Sequence, residues 1–393
     1  MSPEDPANGS GRFAEMPIFT TRRLVQTIVA VFLLLGAIYF LFPKLVGLGN
    51  ALDRLDEADP VWIAVAIGFN VLAYATYIAL FKAVVGGDAL RLTWGETYEI
   101  NMAGVAGTLL FSAGGAGGIA VTYWALRKAG MRRRDVARRM VAFVSLHYIF
   151  YPIALIVFGI LLRTGVMNGK SSVELTIIPA AVAGALLVLG VLVTLIPPDA
   201  ERRLARFAHT ERSRHLLENL GKVPATLGEG FRFAFGLFAH PKKGGLAVLG
   251  AAGFWAFSIG VLWASFHAFG VHVPLAVVVQ GFFLGMVANL FPLAPAGVGA
   301  VDAGMIGAFV LFGIPEETVF PAVLIFRLVA FWMPIPPGIF AFFQLRHTVH
   351  RWEEEGLPID RGGHATSDLE PGAGPLEGDG RLESSRGEAY YKK

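Results

Sequence analysis

Two ionisable side chains, Asp302 and Arg327, lie inside apolar stretches in the second half of the chain. Burying either charge alone in an apolar environment is costly, so such residues usually face a cavity or pair with each other. A guanidinium binds phosphate and carboxylate oxygens, and a carboxylate can hold a guanidinium or exchange a proton. The two residues therefore predict either a binding and coupling site for an anionic group or a purely structural ion pair.

Two glycine-rich segments predict a second kind of anion site. Their glycines are Gly114, Gly115, Gly117 and Gly118 in the first segment, and Gly297 and Gly299 after Pro292 and Pro295 in the second. Where a helix is interrupted, the start of each half presents unpaired backbone N–H groups and a positive dipole end, and glycine lets a ligand approach that backbone closely. The segments predict a cradle for an anionic headgroup. The alternative is close packing of small residues between membrane helices.

Four more polar residues near these segments are candidate substrate contacts: Asn289, Ser112, Arg127 and His147. Asn289 precedes the second glycine segment and can bond freed backbone or substrate. Arg127 opens a basic loop. His147 has no second His, Asp or Glu at ligand spacing, so a buried, hydrogen-bonded histidine is expected in place of a metal ligand or proton relay.

The composition places these residues in a membrane protein. Of 393 residues, 54% are hydrophobic and 16% are charged, and the mean hydropathy is +0.57. The absence of cysteine excludes disulfides, thiolate metal sites and cysteine nucleophiles. A net charge of +3 argues against a nucleic-acid partner. No phosphate loop, zinc-protease or serine-hydrolase motif is present in the sequence, so we predict neither an enzyme nor a cofactor.

Long apolar stretches predict an all-α integral membrane protein with six transmembrane spans. They cover residues 24–42, 61–85, 136–162, 175–196, 246–269 and 319–343. Each is long enough to cross a hydrocarbon core of about 30 Å as a helix. Residues 100–126 and 274–312 are also apolar but are interrupted by Gly and Pro, which predicts two re-entrant, broken-helix hairpins. The transmembrane domain is thus predicted over 24–346, between a polar N-terminal segment (1–23) and a disordered cytoplasmic tail (347–393).

Charge asymmetry predicts the orientation of the chain in a cell (inner or cytoplasmic) membrane. Basic residues cluster at 127–139 and in the loop 197–243, whereas the turns at 53–59 and 315–317 are acidic. The positive-inside rule places the basic loops, and with them both termini, in the cytoplasm. These loops are candidate contacts for anionic lipid headgroups, although a solvated connector is the simpler interpretation of the longer one.

An offset of 182 residues predicts an internal repeat with cores at about 100–152 and 282–334. The matching positions are Gly115 and Gly297, Gly117 and Gly299, Asp135 and Glu317, Phe150 and Trp332, and Pro152 and Pro334. The linker is basic in the first copy and acidic in the second, which favours opposite orientations in the bilayer. Inverted repeats with broken helices are a transporter architecture. The alternative is a chance match between glycine-rich segments.

Three motifs in the second half resemble a known family. They are Pro295-Ala296-Gly297-Val298-Gly299-Ala300-Val301-Asp302-Ala303-Gly304, then Gly313-Ile314-Pro315, then Phe326-Arg327-Leu328-Val329-Ala330-Phe331-Trp332-Met333-Pro334. This pattern is similar to the flippase-like family that contains the transmembrane region of lysylphosphatidylglycerol synthases, without the synthase domain. The resemblance matches Asp302 and Arg327 to the acidic residue and the last-span arginine of that family. The acidic residue that usually follows the family's first glycine turn is missing after Gly118.

The resemblance implies a membrane domain that moves aminoacyl-phospholipids or polyprenyl-phosphate glycolipids between leaflets. Together with the predicted repeat, it favours a transporter or flippase for a lipid-linked anionic or amphiphilic substrate, working by alternating access. Two alternatives remain open. One is a membrane-embedded lipid-phosphate transferase or phosphatase, which would need a clustered acid/base pair or metal site. The other is a non-transporting scaffold with cell-envelope biosynthesis enzymes as partners.

Overall fold

The computed structural model describes residues 54–86, 90–111, 116–195, 227–287 and 299–354. Every regular element within these ranges is helical, as predicted. The predicted first span at 24–42 lies outside the described residues, as does the tail from 355 to 393.

The helices form two groups joined by two connecting helices. The first group is α1 (Pro60–Phe81, continued by a π-helical turn at Lys82–Gly86), α2 (Trp94–Phe111), α3 (Ala116–Lys128), α4 (Arg133–Tyr148) and α5 (Phe150–Arg163). The connecting helices are α6 (Val173–Thr194) and α7 (227–239). The second group is α8 (Pro241–His267), α9 (Leu275–Met286), α10 (Ala300–Leu311), α11 (Glu316–Arg327, continued by a π-helical turn at Leu328–Trp332) and α12 (Ile335–Glu354).

Five helical stretches of the described residues are long and apolar enough to cross a membrane: Pro60–Gly86, Arg133–Arg163, Val173–Thr194, Gly244–His267 and Glu316–Glu354. They correspond to the five predicted spans that the structure describes. The last is longer than predicted, because Thr348, Val349 and Trp352 are buried and keep α12 helical beyond the expected domain limit at residue 346.

Helix α6 shows why these sequences suit a bilayer. Its outer side exposes Val182, Leu186 and Leu189, whereas Leu175, Thr176 and Ala183 are buried against its neighbours. A soluble protein rarely exposes so continuous an apolar surface. Contact with lipid tails accounts for it.

Helices α1 and α8 form the central pair of the fold and run antiparallel. Small residues bring their backbones together: a Cβ atom at Gly250 would lie 2.8 Å from the Thr76 carbonyl oxygen, and one at Gly260 would lie 3.1 Å from the Phe69 ring. Residue numbers rise along α8 as they fall along α1, which fixes the antiparallel direction. The small-residue contact is the usual way in which membrane helices pack closely.

Helices α2 and α3 pack against each other as an antiparallel hairpin, and so do α9 and α10. In the first hairpin, Gly107 lies against Gly117, and a Cβ atom at Gly104 would lie 2.7 Å from the Thr122 hydroxyl. In the second hairpin, a Cβ atom at Gly285 would lie 2.7 Å from Met305 Cα. Both segments that the sequence marks as interrupted are therefore pairs of packed helices.

Each hairpin packs against a helix of the other group. A Cβ atom at Gly338 of α12 would lie 2.8 Å from the Met102 carbonyl oxygen of α2. The second hairpin packs against α5 of the first group. There the Tyr151 hydroxyl of α5 donates a hydrogen bond to the Phe283 carbonyl of α9, and the two rings are 4.7 Å apart. The two groups are thus interlocked by reciprocal contacts.

The first and last residues of the helices in the first group recur in the second group at a nearly constant offset in residue number. Adding 181 to the bounds of Pro60–Gly86 gives the bounds of Pro241–His267. The same order follows in both groups: a hairpin, then a helix beginning at Arg133 or Glu316, then a final helix beginning at Phe150 or Ile335. Five consecutive elements therefore correspond between the groups.

Candidate functional site

Asp302 and Arg327 form an ion pair inside the protein, as one of the two sequence interpretations required. The Arg327 Nε donates to Asp302 Oδ1, and the two side chains are only 8% and 15% exposed. Asp302 lies in the first turn of α10 and Arg327 at the last residue of α11, where those two helices pack together. A charged pair this well shielded holds each partner strongly, because losing one would leave the other buried alone.

The second oxygen of Asp302 caps the start of α10. The backbone N–H of Gly299 donates to Asp302 Oδ2 at 2.9 Å. Gly299 has a φ of +81°, in the left-handed region that favours glycine, and this turn aims its N–H at the carboxylate. The sequence predicts that this N–H holds a substrate anion. In the structure it donates to Asp302 instead. The negative charge at the positive end of α10 is thus supplied by the protein.

The backbone after Arg327 departs from an ordinary α-helix. Residues Leu328–Trp332 form a π-helical turn, and the Arg327 guanidinium lies 5.5 Å from the centre of the Phe331 ring. From α1, the Asn70 amide donates to the Val329 oxygen at 2.9 Å and the Tyr74 hydroxyl approaches the Ala330 oxygen at 3.5 Å. Such single π turns often occur at functional sites. Here Phe331 of the turn lies against the guanidinium.

The first glycine segment does not extend this site within the described residues. Gly117 and Gly118 pack against α2, and a Cβ atom at Gly107 would lie 3.1 Å from the Gly117 carbonyl oxygen. Close helix packing, the alternative interpretation, accounts for both glycines. Outside the described residues lie Ser112, Gly114, Gly115, Asn289, Pro292, Pro295 and Gly297, and their predicted roles remain predictions.

Arg127 and His147 lie in other surroundings. Arg127 is exposed at the loop end of α3, where its Nη1 donates to the Met131 oxygen at 2.5 Å. His147 is buried in an aromatic cluster between α1, α4 and α8, with its ring 4.8 Å from that of Trp255 and 5.0 Å from that of Tyr77. The structure therefore does not join either residue to the Asp302–Arg327 pair. For His147 it agrees with the expected buried histidine, although its Nδ1 has no hydrogen-bond partner among the described residues.

Comparison with known sequences decides the family. The profile of the lysylphosphatidylglycerol synthase TM region matches residues 27–338. The chain belongs to this family. The match confirms the resemblance seen in the three motifs, and it includes both hairpins and the Asp302–Arg327 pair.

Curated relatives of this family member are named only as membrane proteins. A UPF0104 membrane protein of Methanothermobacter thermautotrophicus is 22% identical over 305 residues, which cover 76% of this chain and 89% of the relative. Another UPF0104 membrane protein of the same organism is 33% identical over 72 residues, covering 18% of this chain and 22% of that relative. The similarity therefore extends over most of the family domain.

Sequence reasoning underrated two buried polar side chains, Asn70 and Arg139. Asn70 is 5% exposed and donates to the π-helical turn that follows Arg327. Arg139, counted only as one charge of the basic loop, is 6% exposed and donates to the Val84 oxygen at 2.7 Å. Asn70 could have been singled out by one signal, a polar side chain well inside an otherwise apolar helix. Arg139 follows Arg133, Arg134 and Arg138 at the basic start of α4 and carries no such signal.

Proposed function

We propose that this chain moves a lipid-linked anionic or amphiphilic substrate between membrane leaflets, as a transporter or flippase. The observation that carries the proposal is the shielded Asp302–Arg327 pair at the start of α10, surrounded by apolar membrane helices. A structural role alone could be filled at similar stability by apolar side chains, because a buried ion pair seldom adds net stability. An arginine at this position is suited to binding an anion that enters the membrane interior.

The arrangement of the two helix groups supports alternating access. Helices α1 and α8 correspond in the repeat and run antiparallel, as two halves of opposite orientation would require. Each hairpin packs on the last helix of the other group, which is the exchange expected of an approximate two-fold axis. We infer an inverted repeat, in which the halves rock about a site near the midplane.

The described helices of the second hairpin are each shorter than a membrane span. Helices α9 and α10 have 12 residues each. At 1.5 Å per residue each spans about 18 Å, against a hydrocarbon core of about 30 Å. We infer that this hairpin is re-entrant and that its α10 end carries Asp302 into the membrane. The α2–α3 hairpin is its inferred counterpart from the opposite face.

Exchange of anions at Arg327 gives the pair a direct role in transport. A guanidinium binds carboxylate and phosphate with the same planar geometry. In the resting state Asp302 satisfies Arg327. A lipid phosphate that enters from one leaflet would displace the Asp302 carboxylate from Arg327. The Asp302–Arg327 ion pair would form again when the phosphate leaves toward the other leaflet. No covalent chemistry is part of this proposal.

The substrate class and the orientation belong to the same proposal. The family takes its name from lysylphosphatidylglycerol synthases, so aminoacyl-phospholipids are the first candidates, followed by polyprenyl-phosphate glycolipids. Because α4 starts at the basic residues Arg132–Arg134 whereas α11 starts with Glu316 and Glu317, we place the start of α4 in the cytoplasm and the start of α11 outside. The protein would then lie in the inner membrane with its termini in the cytoplasm.

Reconstitution into liposomes tests the function directly. Fluorescent lysylphosphatidylglycerol and a polyprenyl-phosphate glycolipid serve as probes, and their movement is followed as the fraction of probe protected from external reduction. Asp302→Asn and Arg327→Ala are compared with Asp135→Asn and Arg351→Ala, which alter charges on other helices. We expect transport to fall by about tenfold or more in the first two, the scale of one lost charged hydrogen bond. Equal transport in all variants would remove the assigned site, and no movement of either probe by the wild type would contradict a flippase for these lipids.

A further inference from the structure

A cluster of arginines lies where several helix ends meet, in the first half of the fold. The end of α1, the first turns of α4, the end of α6 and helix α7 come together there. Arg139 of α4 donates to the Val84 and Val85 oxygens at 2.7 and 3.2 Å, and Arg232 of α7 donates to the Thr194 oxygen at 2.9 Å. Guanidinium groups at helix C-termini complement the negative dipole ends, so these two arginines have a structural role.

Arg138 lies in the same cluster but donates to no helix-end carbonyl among the described residues. Its guanidinium lies 5.4 Å from the centre of the Phe233 ring of α7, and the Arg139 guanidinium lies 5.6 Å from that ring. The Arg138 Nε is shielded from solvent and makes no hydrogen bond within the described part of the chain. A shielded donor of this kind is unfavourable until an acceptor reaches it.

The nearby carboxylates are engaged by other arginines. Glu229 of α7 pairs with Arg134, and Asp135 pairs with Arg132 at 2.8 Å. Both of those arginines are largely exposed, at 72% and 79% of their side-chain surface. The two carboxylates therefore neutralise the exposed arginines at the edge of the cluster, and neither accepts a hydrogen bond from the Arg138 Nε.

The second half of the chain has apolar residues in place of Arg138 and Arg139. The offset of 182 places Phe320 and Pro321 of α11 at the positions equivalent to Arg138 and Arg139. Helix α11 forms with those apolar residues. The cations are thus a feature of one half only.

The cluster lies at the level where lipid headgroups are expected. Arg138 is five residues from the start of α4 at Arg133, or about 8 Å along the helix axis. Leu195, next to Thr194 at the end of α6, is an exposed apolar side chain, 71% accessible. A charged group with apolar neighbours at a span end is typical of the boundary between headgroups and acyl chains.

We propose that Arg138, next to Arg139 in α4, binds the phosphate group of an anionic phospholipid at the membrane surface. The phosphate oxygens accept from the Arg138 guanidinium, the acyl chains lie along the exposed side of α6, and the charge of Arg139 adds electrostatic attraction. The site is separate from the Asp302–Arg327 pair and does not depend on the proposed transport function.

Thermal unfolding of the purified full chain in a zwitterionic detergent tests the proposal, because a ligand that binds the native state raises Tm. Dioleoylphosphatidylglycerol is titrated into wild type, Arg138→Gln and the matched control Arg133→Gln. Arg133 is an exposed residue of the same helix. Dioleoylphosphatidylcholine and inorganic phosphate are the comparison ligands. We expect Arg138→Gln to need about tenfold more phosphatidylglycerol for the half-maximal shift, the scale of one charged hydrogen bond, with the control unchanged.

Three results would overturn the proposal. The first is an identical response of Arg138→Gln and wild type. The second is an equal loss in Arg133→Gln, which would show a general effect of surface charge. The third is an equal shift with inorganic phosphate, which would remove the phospholipid as its source. If the glutamine variant does not fold, Arg138→Lys keeps the charge but removes the Nε donor. It should need more phosphatidylglycerol than wild type, and an unchanged requirement would overturn the site.

Discussion

The amide nitrogen of Asn70 in α1 lies 2.9 Å from the backbone oxygen of Val329, two residues after Arg327. Val329 belongs to the π-helical turn that links α11 to α12. Asn70 therefore joins the central helix pair to the π-helical turn that follows Arg327. A movement of α1 relative to α11 would therefore shift the backbone next to Arg327 through this hydrogen bond.

Asn70→Leu should destabilise the protein by removing that donor from a shielded carbonyl. We expect a loss of about 1–3 kcal/mol in the free energy of unfolding, measured by denaturant titration in detergent. Tyr74→Phe is the matched control, because its hydroxyl is 3.5 Å from the Ala330 oxygen and makes a weaker contact. An equal effect of the two changes would argue that the π-helical turn does not need Asn70.

Gly285→Ala should separate the two helices of the second hairpin. A Cβ atom there would lie 2.7 Å from Met305 Cα, so the backbones must move apart. Overpacking of this kind costs about 1–3 kcal/mol, which would appear as a lower Tm. Gly307→Ala of the same hairpin meets no heavy atom within 4 Å and should leave Tm unchanged or slightly higher. The reverse order of the two Tm values would contradict the α9–α10 packing.

A disulfide should form between α1 and α8 in the variant Thr76→Cys, Gly253→Cys. A Cβ atom at Gly253 would lie 3.1 Å from Thr76 Cβ, close to the spacing of about 3.8 Å in disulfides. The natural chain has no cysteine, so no other thiol competes. After oxidation and proteolysis between residues 196 and 226, the two halves should stay joined on a non-reducing gel. The pair Thr76→Cys, Gly245→Cys should not cross-link, and linkage of both pairs would argue against the fixed antiparallel packing.

The Asp302–Arg327 pair should show strong thermodynamic coupling. Asp302→Asn or Arg327→Gln alone leaves a shielded charge or donor set without its partner, and we expect each to cost about 3–5 kcal/mol. The double variant should lose clearly less than the sum of the two, because no uncompensated charge remains. Additive losses in unfolding experiments would mean that the two side chains do not act as a pair.

The Asp302–Arg327 pair could be predicted from sequence because ionisable groups are conspicuous in apolar helices. The glycine and proline positions that recur at 182 residues can also be seen in the sequence. Both signals come from residue types that are costly or geometrically special in a membrane. The sequence could therefore predict the ion pair, whereas the role of these residues in binding stays a prediction.

Packing partners and backbone irregularities could not be predicted in the same way. The contact of α1 with α8 depends on Gly250 and Gly260, which resemble many other small residues of the chain. The π-helical turns at Lys82–Gly86 and Leu328–Trp332 depend on distant donors, Arg139 and Asn70. These are tertiary contacts, and no sequence spacing encodes them.

Cysteine labelling from the two sides of the membrane tests the central claim, that the two halves have opposite orientations. Arg133→Cys and Glu316→Cys mark the starts of α4 and α11, which correspond in the repeat. In intact cells a membrane-impermeant maleimide should label Glu316→Cys and leave Arg133→Cys unlabelled, whereas inside-out vesicles should give the reverse. Labelling of both positions from the same side would contradict the inverted arrangement and the alternating access built on it.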